Sequence, residues 1–375
     1  MKSYGLLLAK APLYYAFRKL GSPKVLPINY TLSVTNACNS KCKTCNIWKL
    51  YKEKPELRSN ELTTEEWVRI IQSLNKSPFW ITISGGEPYI RSDLIEICRA
   101  ICEICKPGVI NIPTNGSPLE RIRIWTPKIL EACTENGVKL VINLSIDSVG
   151  ELQDEIRGIK GNWEASLKAL SALKELKRRY SCLTVGIHTV ISKYNIDKLP
   201  EIAEYIISKL APDHYVMEVA EERSELFNFG SGITPSPKKL RDKLGETVKY
   251  LKAKSRNVQG ISKLSLAFRL RYYELIPQIL ESKKQVIPCM ASFASCHINP
   301  YGELWPCCVL GYEKSMGNLR NFDYDFKKLW KSEKAESIRE FIRGGYCSCP
   351  LANAHYTNLL LNPKEAIRIF IHAMK

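Results

Sequence analysis

No stretch of this sequence stays apolar for the roughly 20 residues that a membrane-spanning helix needs. The apolar run at residues 6–11 is broken by Lys10, closed by Pro12 and followed by no small-residue cleavage site, so it does not read as a secretory signal. An internal repeat of fixed period is missing, and so is any low-complexity tract. Acid is in short supply: 38 Asp and Glu stand against 55 Lys and Arg, a formal charge of +17. That excess attracts anionic partners such as nucleic acid, phosphorylated substrates or acidic headgroups without naming one, and no clear nucleic-acid module accompanies it. Without an export signal, the 14 cysteines are assigned to a reducing, cytoplasmic setting, where thiols hold metal or pack in a core more often than they form disulfides.

What is present is an alternation. Short β-type runs at 30–35, 80–84, 109–113, 139–146, 183–191 and 214–219 are separated by amphipathic stretches near 64–74, 93–106, 126–136, 163–180 and 196–210. Thr126 reads as an N-cap, with Pro127 at the first helical position and Gly137 just past the end. Strand–helix alternation of this kind predicts an α/β fold, a partial (β/α)6 barrel of TIM type, with its chemistry at the carboxyl ends of the strands. After residue 219 the sequence becomes charged and helical, and a cysteine-rich α+β extension begins at Cys289 with a hairpin signal at Pro300, Tyr301 and Gly302. The expected units are an amphipathic segment at 1–28, a barrel at 29–235, a helical linker at 236–285 and a tail at 286–375.

Cys38, Cys42 and Cys45 follow the first strand among Asn36, Asn39 and Ser40, residues that favour turns. Three soft thiolates on a loop suit an iron–sulfur cluster with one iron left open, and a zinc site is the alternative. Cys98, Cys102 and Cys105 repeat the same spacing inside DLIEICRAICEICK, where they share a helical face with Leu94 and Ile101 and read as core.

With that loop at the end of the first strand and Gly85, Gly86, Glu87 and Pro88 ending the second, the chain resembles the radical S-adenosylmethionine (SAM) superfamily. The resemblance implies a [4Fe–4S] cluster on Cys38, Cys42 and Cys45 whose free iron binds SAM, and a glutamate at Glu87 that meets the cofactor's amino group. It also implies contacts to ribose and methionine from Thr114, Asn115, Ser145 and Asp147, with Asp147 accepting from ribose hydroxyls and Arg157 pairing with the cofactor carboxylate. Asn195 and Met217 are further candidates on the adenine side. The implied activity is reductive cleavage of SAM to a 5′-deoxyadenosyl radical that takes hydrogen from a substrate, with a ferredoxin- or flavodoxin-type donor as partner. A non-catalytic iron–sulfur or zinc protein is the rival reading, and an electron carrier has no use for GGEP, Asp147 and Arg157.

The tail resembles the SPASM or shorter twitch extension of that superfamily. The resemblance implies one auxiliary cluster on Cys289, Cys307, Cys347 and Cys349. The one-residue gap in the last pair leaves Cys308, Cys296 or substrate as alternatives for the fourth position, and zinc as an alternative metal. His297 and His355 lie close in sequence and read as structural histidines. About 28 residues precede the first strand, too few for a peptide-recognition domain, so leader capture by this chain is not expected. Apolar and basic residues mix in LLLAKAPLYYAFRKL and KEAIRIFIHAMK, a pattern open to peripheral contact with an anionic membrane or to helices packed as caps. Peptide and lipid substrates are placed ahead of glycan and RNA.

Overall fold

The computed structural model of the protein describes residues 4–254 and 260–374. Its core is one sheet in which six strands stand in chain order: β1 (Asn29–Thr35), β2 (Trp80–Gly85), β3 (Val109–Thr114), β4 (Lys139–Ser145), β5 (Leu183–Ile191) and β6 (His214–Val219). All adjacent pairs among them are parallel. In β1, Tyr30, Leu32 and Val34 are fully buried on one side while Ser33 and Thr35 are buried on the other. Burial on both faces is what a parallel sheet covered by helices requires. The α/β partial barrel expected from the alternation is therefore the observed architecture.

The helices form where the apolar spacing put them, with one displaced start. The helix Thr64–Leu74 opens with a capping box between Thr63 and Glu66, and buries Trp67, Ile70, Ile71 and Leu74 at three- and four-residue spacing. The third helix runs Leu119–Asn136 and not from Thr126, so Thr126 is no N-cap and Pro127 lies inside the helix. Ile122 extends the buried face backward by a turn, and Thr126 points inward to the Tyr89 hydroxyl at 2.9 Å. That packing outweighs the hydrogen bond Pro127 cannot donate. Cys98, Cys102 and Cys105 are buried on the helix Leu94–Ala100 and the wide π-type turn Ile101–Cys105 that continues it, as their apolar neighbours predict.

The tail does not stand apart from the barrel. Its strand β7 (Ser295–Ile298) pairs in parallel with β1, Asn29 opposite Ser295, and β8 (Glu303–Trp305) and β9 (Gly317–Asn318) extend the same sheet in antiparallel order. The expected hairpin joins β7 to β8, where the Asn299 side chain accepts from the amides of Tyr301 and Glu303. At the opposite edge the helix Gly260–Ser282 covers β6, and the Tyr273 hydroxyl takes the free Met217 amide at 2.9 Å. Both terminal helices dock on the body: Tyr4–Leu20 buries Leu7, Tyr14 and Phe17, and Pro363–Met374 is held by the Arg271–Glu365 ion pair. Among the described residues no helix is long and apolar enough to cross a membrane.

Candidate active site

A cavity of about 240 Å³ opens at the carboxyl ends of the strands, lined by Cys38, Cys42 and Cys45 together with Gly85, Gly86 and Glu87 from the end of β2. Thr114, Asn115, Ser145 and Arg157 also line it. These cofactor-contact candidates therefore gather in one place, while Asp147, Asn195 and Met217 do not line it.

Three segments grip the cysteine loop from outside. Gly86 and Glu87 donate their amides to the carbonyls of Thr35 and Ala37 at 2.7 and 2.9 Å. A Cβ on Gly85 would lie 2.1 Å from the Thr35 oxygen, and one on Gly86 2.2 Å from that of Ala37. The two glycines thus admit backbone against backbone. From the second segment, the carbonyls of Ile156 and Arg157 accept the amides of Lys43 and Lys41, one on each side of Cys42. From the third, Asn46 donates to Leu226 and Phe227, and Asn228 donates to Thr44.

Glu87 is buried, and its carboxylate accepts from the amides of Tyr89 and Asn115 and from the Thr114 hydroxyl. Burial raises its pKa to about 7 against the pull of those donors. Its side chain locks the ends of β2 and β3 together, and Asn115 reaches on to Asn39 of the cysteine loop at 2.7 Å. Asp147 departs from expectation. It is 1% exposed and off the cavity wall, its Oδ1 accepts the Val190 amide at 2.8 Å, and its Oδ2 is 3.0 Å from Arg157 Nε. It instead aims Arg157, whose Nη1 is 3.6 Å from Cys42 Sγ. Asn195 and Met217 are also off the wall: Asn195 is spent on the Asp147 and Val190 carbonyls, and Met217 is core.

Sequence reasoning missed the far wall, formed by His188, Glu218, Glu221 and Arg223. His188 Nε2 lies 3.5 Å from the Glu218 carboxylate, and Arg223 is paired with Glu225. Glu221 has an oxygen without a partner among the described residues, and burial raises its pKa to about 7 against the pull of Arg223. The signal was available, since these residues lie in the carboxyl-terminal halves of β5 and β6 or just after β6, the region where a barrel places its chemistry.

In the tail, Cys289, Cys307, Cys347 and Cys349 line a second cavity with Gln285 and His355. Cys308 is turned away to Arg223 Nη1 at 3.3 Å, and Cys296 is core on β7, so neither lies on that wall. His297 is satisfied, with Nε2 2.8 Å from Ser33 Oγ and 3.7 Å from Glu225.

The donor sets fit iron–sulfur clusters. All seven thiols are free. Burial pushes the thiols of Cys38, Cys45 and Cys307 up to about 12, so their ionisation has to come with the metal. Ser40 Oγ, buried in the first loop and on the cavity wall, has no partner among the described residues and is an available donor to sulfur.

Comparison with known proteins agrees with this geometry. Residues 32–206 match the family model of the radical SAM superfamily, and residues 289–350 match that of SPASM, an iron–sulfur cluster-binding domain. The Fe-coproporphyrin III synthase of Methanosarcina barkeri is 31% identical over 183 residues, 48% of this chain and 41% of that protein. The antilisterial bacteriocin subtilosin biosynthesis protein AlbA of Bacillus subtilis is 21% identical over 336 residues, 86% of this chain and 66% of that one. The chain thus spans less than two thirds of the length of these relatives. The crystal structure of Streptococcus suis SuiB bound to precursor peptide SuiA superposes with a TM-score of 0.61 at 18% identity, over 91% of this chain and 73% of SuiB, and at that identity the likeness shows the fold. With barrel and tail each matched separately, the chain belongs to the radical SAM superfamily of enzymes and carries a SPASM domain after its barrel.

Proposed function

We propose that this protein reductively cleaves SAM at a [4Fe–4S] cluster held by Cys38, Cys42 and Cys45, and that it modifies a peptide. The observation that carries the reading is the gathering of three free thiols, the Gly85–Gly86 backbone, Thr114, Asn115, Ser145 and Arg157 on one cavity at the strand ends. The cluster, when bound, supplies the electron that splits the sulfonium into methionine and a 5′-deoxyadenosyl radical able to take hydrogen from substrate. The chain's own residues supply the rest. Arg157, aimed by Asp147, offers its remaining donors to the cofactor carboxylate. Glu87 keeps the turn after β2 and the end of β3 at a fixed separation. His188, Glu218 and Glu221 face the remaining space, where substrate would sit.

A peptide substrate is supported by AlbA, whose name places it in bacteriocin biosynthesis, and by the shared fold of SuiB, whose structure holds a precursor peptide. A lipid-type substrate is the next choice. Residues 29–235 are proposed as the catalytic unit, 236–285 as its helical linker and 286–375 as the unit that holds the auxiliary cluster on Cys289, Cys307, Cys347 and Cys349. A low-potential donor of ferredoxin or flavodoxin type would deliver the electron.

The test is anaerobic reconstitution with iron and sulfide, followed by dithionite and SAM. 5′-Deoxyadenosine from the wild type, none from Cys42→Ala, and about four irons retained by that variant would support the reading. Cleavage that survives Cys42→Ala would refute the ligand assignment.

A further inference from the structure

The tail cavity presents one donor atom that a four-cysteine site does not use. His355, on the helix Ala352–Leu361, is buried and lines the same cavity as Cys289, Cys307, Cys347 and Cys349. Its Nε2 lies 2.8 Å from the carbonyl oxygen of Cys349. A carbonyl only accepts, so Nε2 carries the proton. With Nε2 spent on that carbonyl, Nδ1 is the ring nitrogen left to face another group. That Nδ1 has no partner among the described residues. A buried acceptor is seldom left unmade in a folded protein, and here it has a thiol-lined cavity beside it.

The surrounding contacts hold the ring still. It stacks on Tyr272 with centroids 5.9 Å apart, and the Tyr272 hydroxyl donates to the Pro350 carbonyl at 2.6 Å, one residue from the carbonyl that His355 uses. An imidazole that donates one nitrogen to a backbone carbonyl and keeps the other bare is the arrangement found behind metal-ligating histidines. Five donors thus line a site that takes four. Cys347 and Cys349 are separated by a single residue, and the carbonyl of Cys349 is committed to the ring.

We propose that His355 is a ligand of the tail metal centre through Nδ1, with Cys289, Cys307 and Cys347, and that Cys349 serves by orienting the imidazole. The proposal rests on reading the tail as an iron–sulfur site and revises the ligand set given above.

The test uses the full chain with Cys38, Cys42 and Cys45 changed to Ala, so that only the tail centre reports. The protein is labelled with 15N-histidine, reconstituted, reduced and examined by pulsed EPR. The expected result is one directly coordinated histidine nitrogen. That signal should disappear in His355→Cys, which should keep about four irons and show a lower midpoint potential, since thiolate replaces imidazole. Cys349→Ala should keep both the iron and the nitrogen signal. A loaded tail centre with no histidine coupling would overturn the proposal, as would loss of iron in Cys349→Ala with retention in His355→Ala. A tail that takes up no iron overturns it together with the auxiliary-cluster reading, whereas failure of SAM cleavage in the wild type with a loaded tail leaves it standing.

Discussion

Arg157 Nη1 stands 3.6 Å from Cys42 Sγ while its Nε lies 3.0 Å from Asp147, so one guanidinium joins a cluster-loop thiol to a buried carboxylate at the end of β4. The arginine is raised above its ordinary pKa: burial acts against the charge, and Asp147 and Cys42 outweigh it. Asp147→Asn should leave that cation without its counter-charge. We expect iron retention or 5′-deoxyadenosine formation to fall about 10- to 100-fold, the usual cost of removing a group that holds a metal-site residue in place. Unchanged iron content and rate would remove Asp147 from the site's support.

Gly86→Ala should act through the loop's backbone. The new Cβ would meet the Ala37 carbonyl at 2.2 Å, and strand β2 or the cysteine loop must move. A loss of about 2–4 kcal/mol in unfolding free energy is expected, with iron lost from the first site and kept in the tail. Chemical denaturation and iron counting on the two variants Gly86→Ala and Cys42→Ala would separate the backbone effect from simple loss of a ligand.

A third prediction concerns the seam between barrel and tail. Glu66 takes a two-pronged pair from Arg320 at 2.6 and 2.8 Å, a bond from the Tyr324 hydroxyl, and the Thr63 amide of its own capping box. The Arg320 hydrogen bonds hold its pKa down to about 2 from an ordinary 4.5. A depressed carboxyl contributes stability that is present above pH 4.5 and lost as pH falls through 2. Glu66→Gln should therefore cost about 1–2 kcal/mol at pH 7, after allowance for solvent screening, and much less at pH 2. Denaturant curves at the two pH values check it.

Glu221 carries the opposite sign. Its folded pKa near 7 lies above the ordinary 4.5, so its carboxyl contributes stability below pH 4.5 that is lost as pH rises through 7. Glu221→Gln should be on the order of 1–3 kcal/mol more stable relative to wild type at pH 8 than at pH 4. A difference independent of pH would mean the carboxyl is better solvated than its surroundings indicate.

The barrel was legible because its signals are local. Strand ends fell within a residue or so of expectation, and turn residues after each strand marked where side chains would gather. The start of the helix Leu119–Asn136 was not legible, because Thr126 and Pro127 carry a capping signal that tertiary packing against Tyr89 overrides. Asp147 was assigned to ribose because a strand-end aspartate suits either a ligand or a neighbouring cation, and only the fold brings Arg157 to it. His355 looked structural in sequence, since nothing local distinguishes an imidazole with both nitrogens satisfied from one with a bare nitrogen. Its status depends on the carbonyl of Cys349 and on a cavity built from residues between 279 and 358.

The pairing of β7 with β1 bears on how the molecule is made. β1 has one neighbour in β2, available early in synthesis, while its other edge waits for residues 295–298. For most of translation the strand that leads into the Cys38 loop therefore presents an open row of amides and carbonyls, the kind of edge through which chains stick to one another. Such long-range closure is slow, and it places completion of the sheet near the end of folding. A host that produces this protein at a reduced rate, or with chaperones in excess, should recover more soluble chain than one that makes it fast.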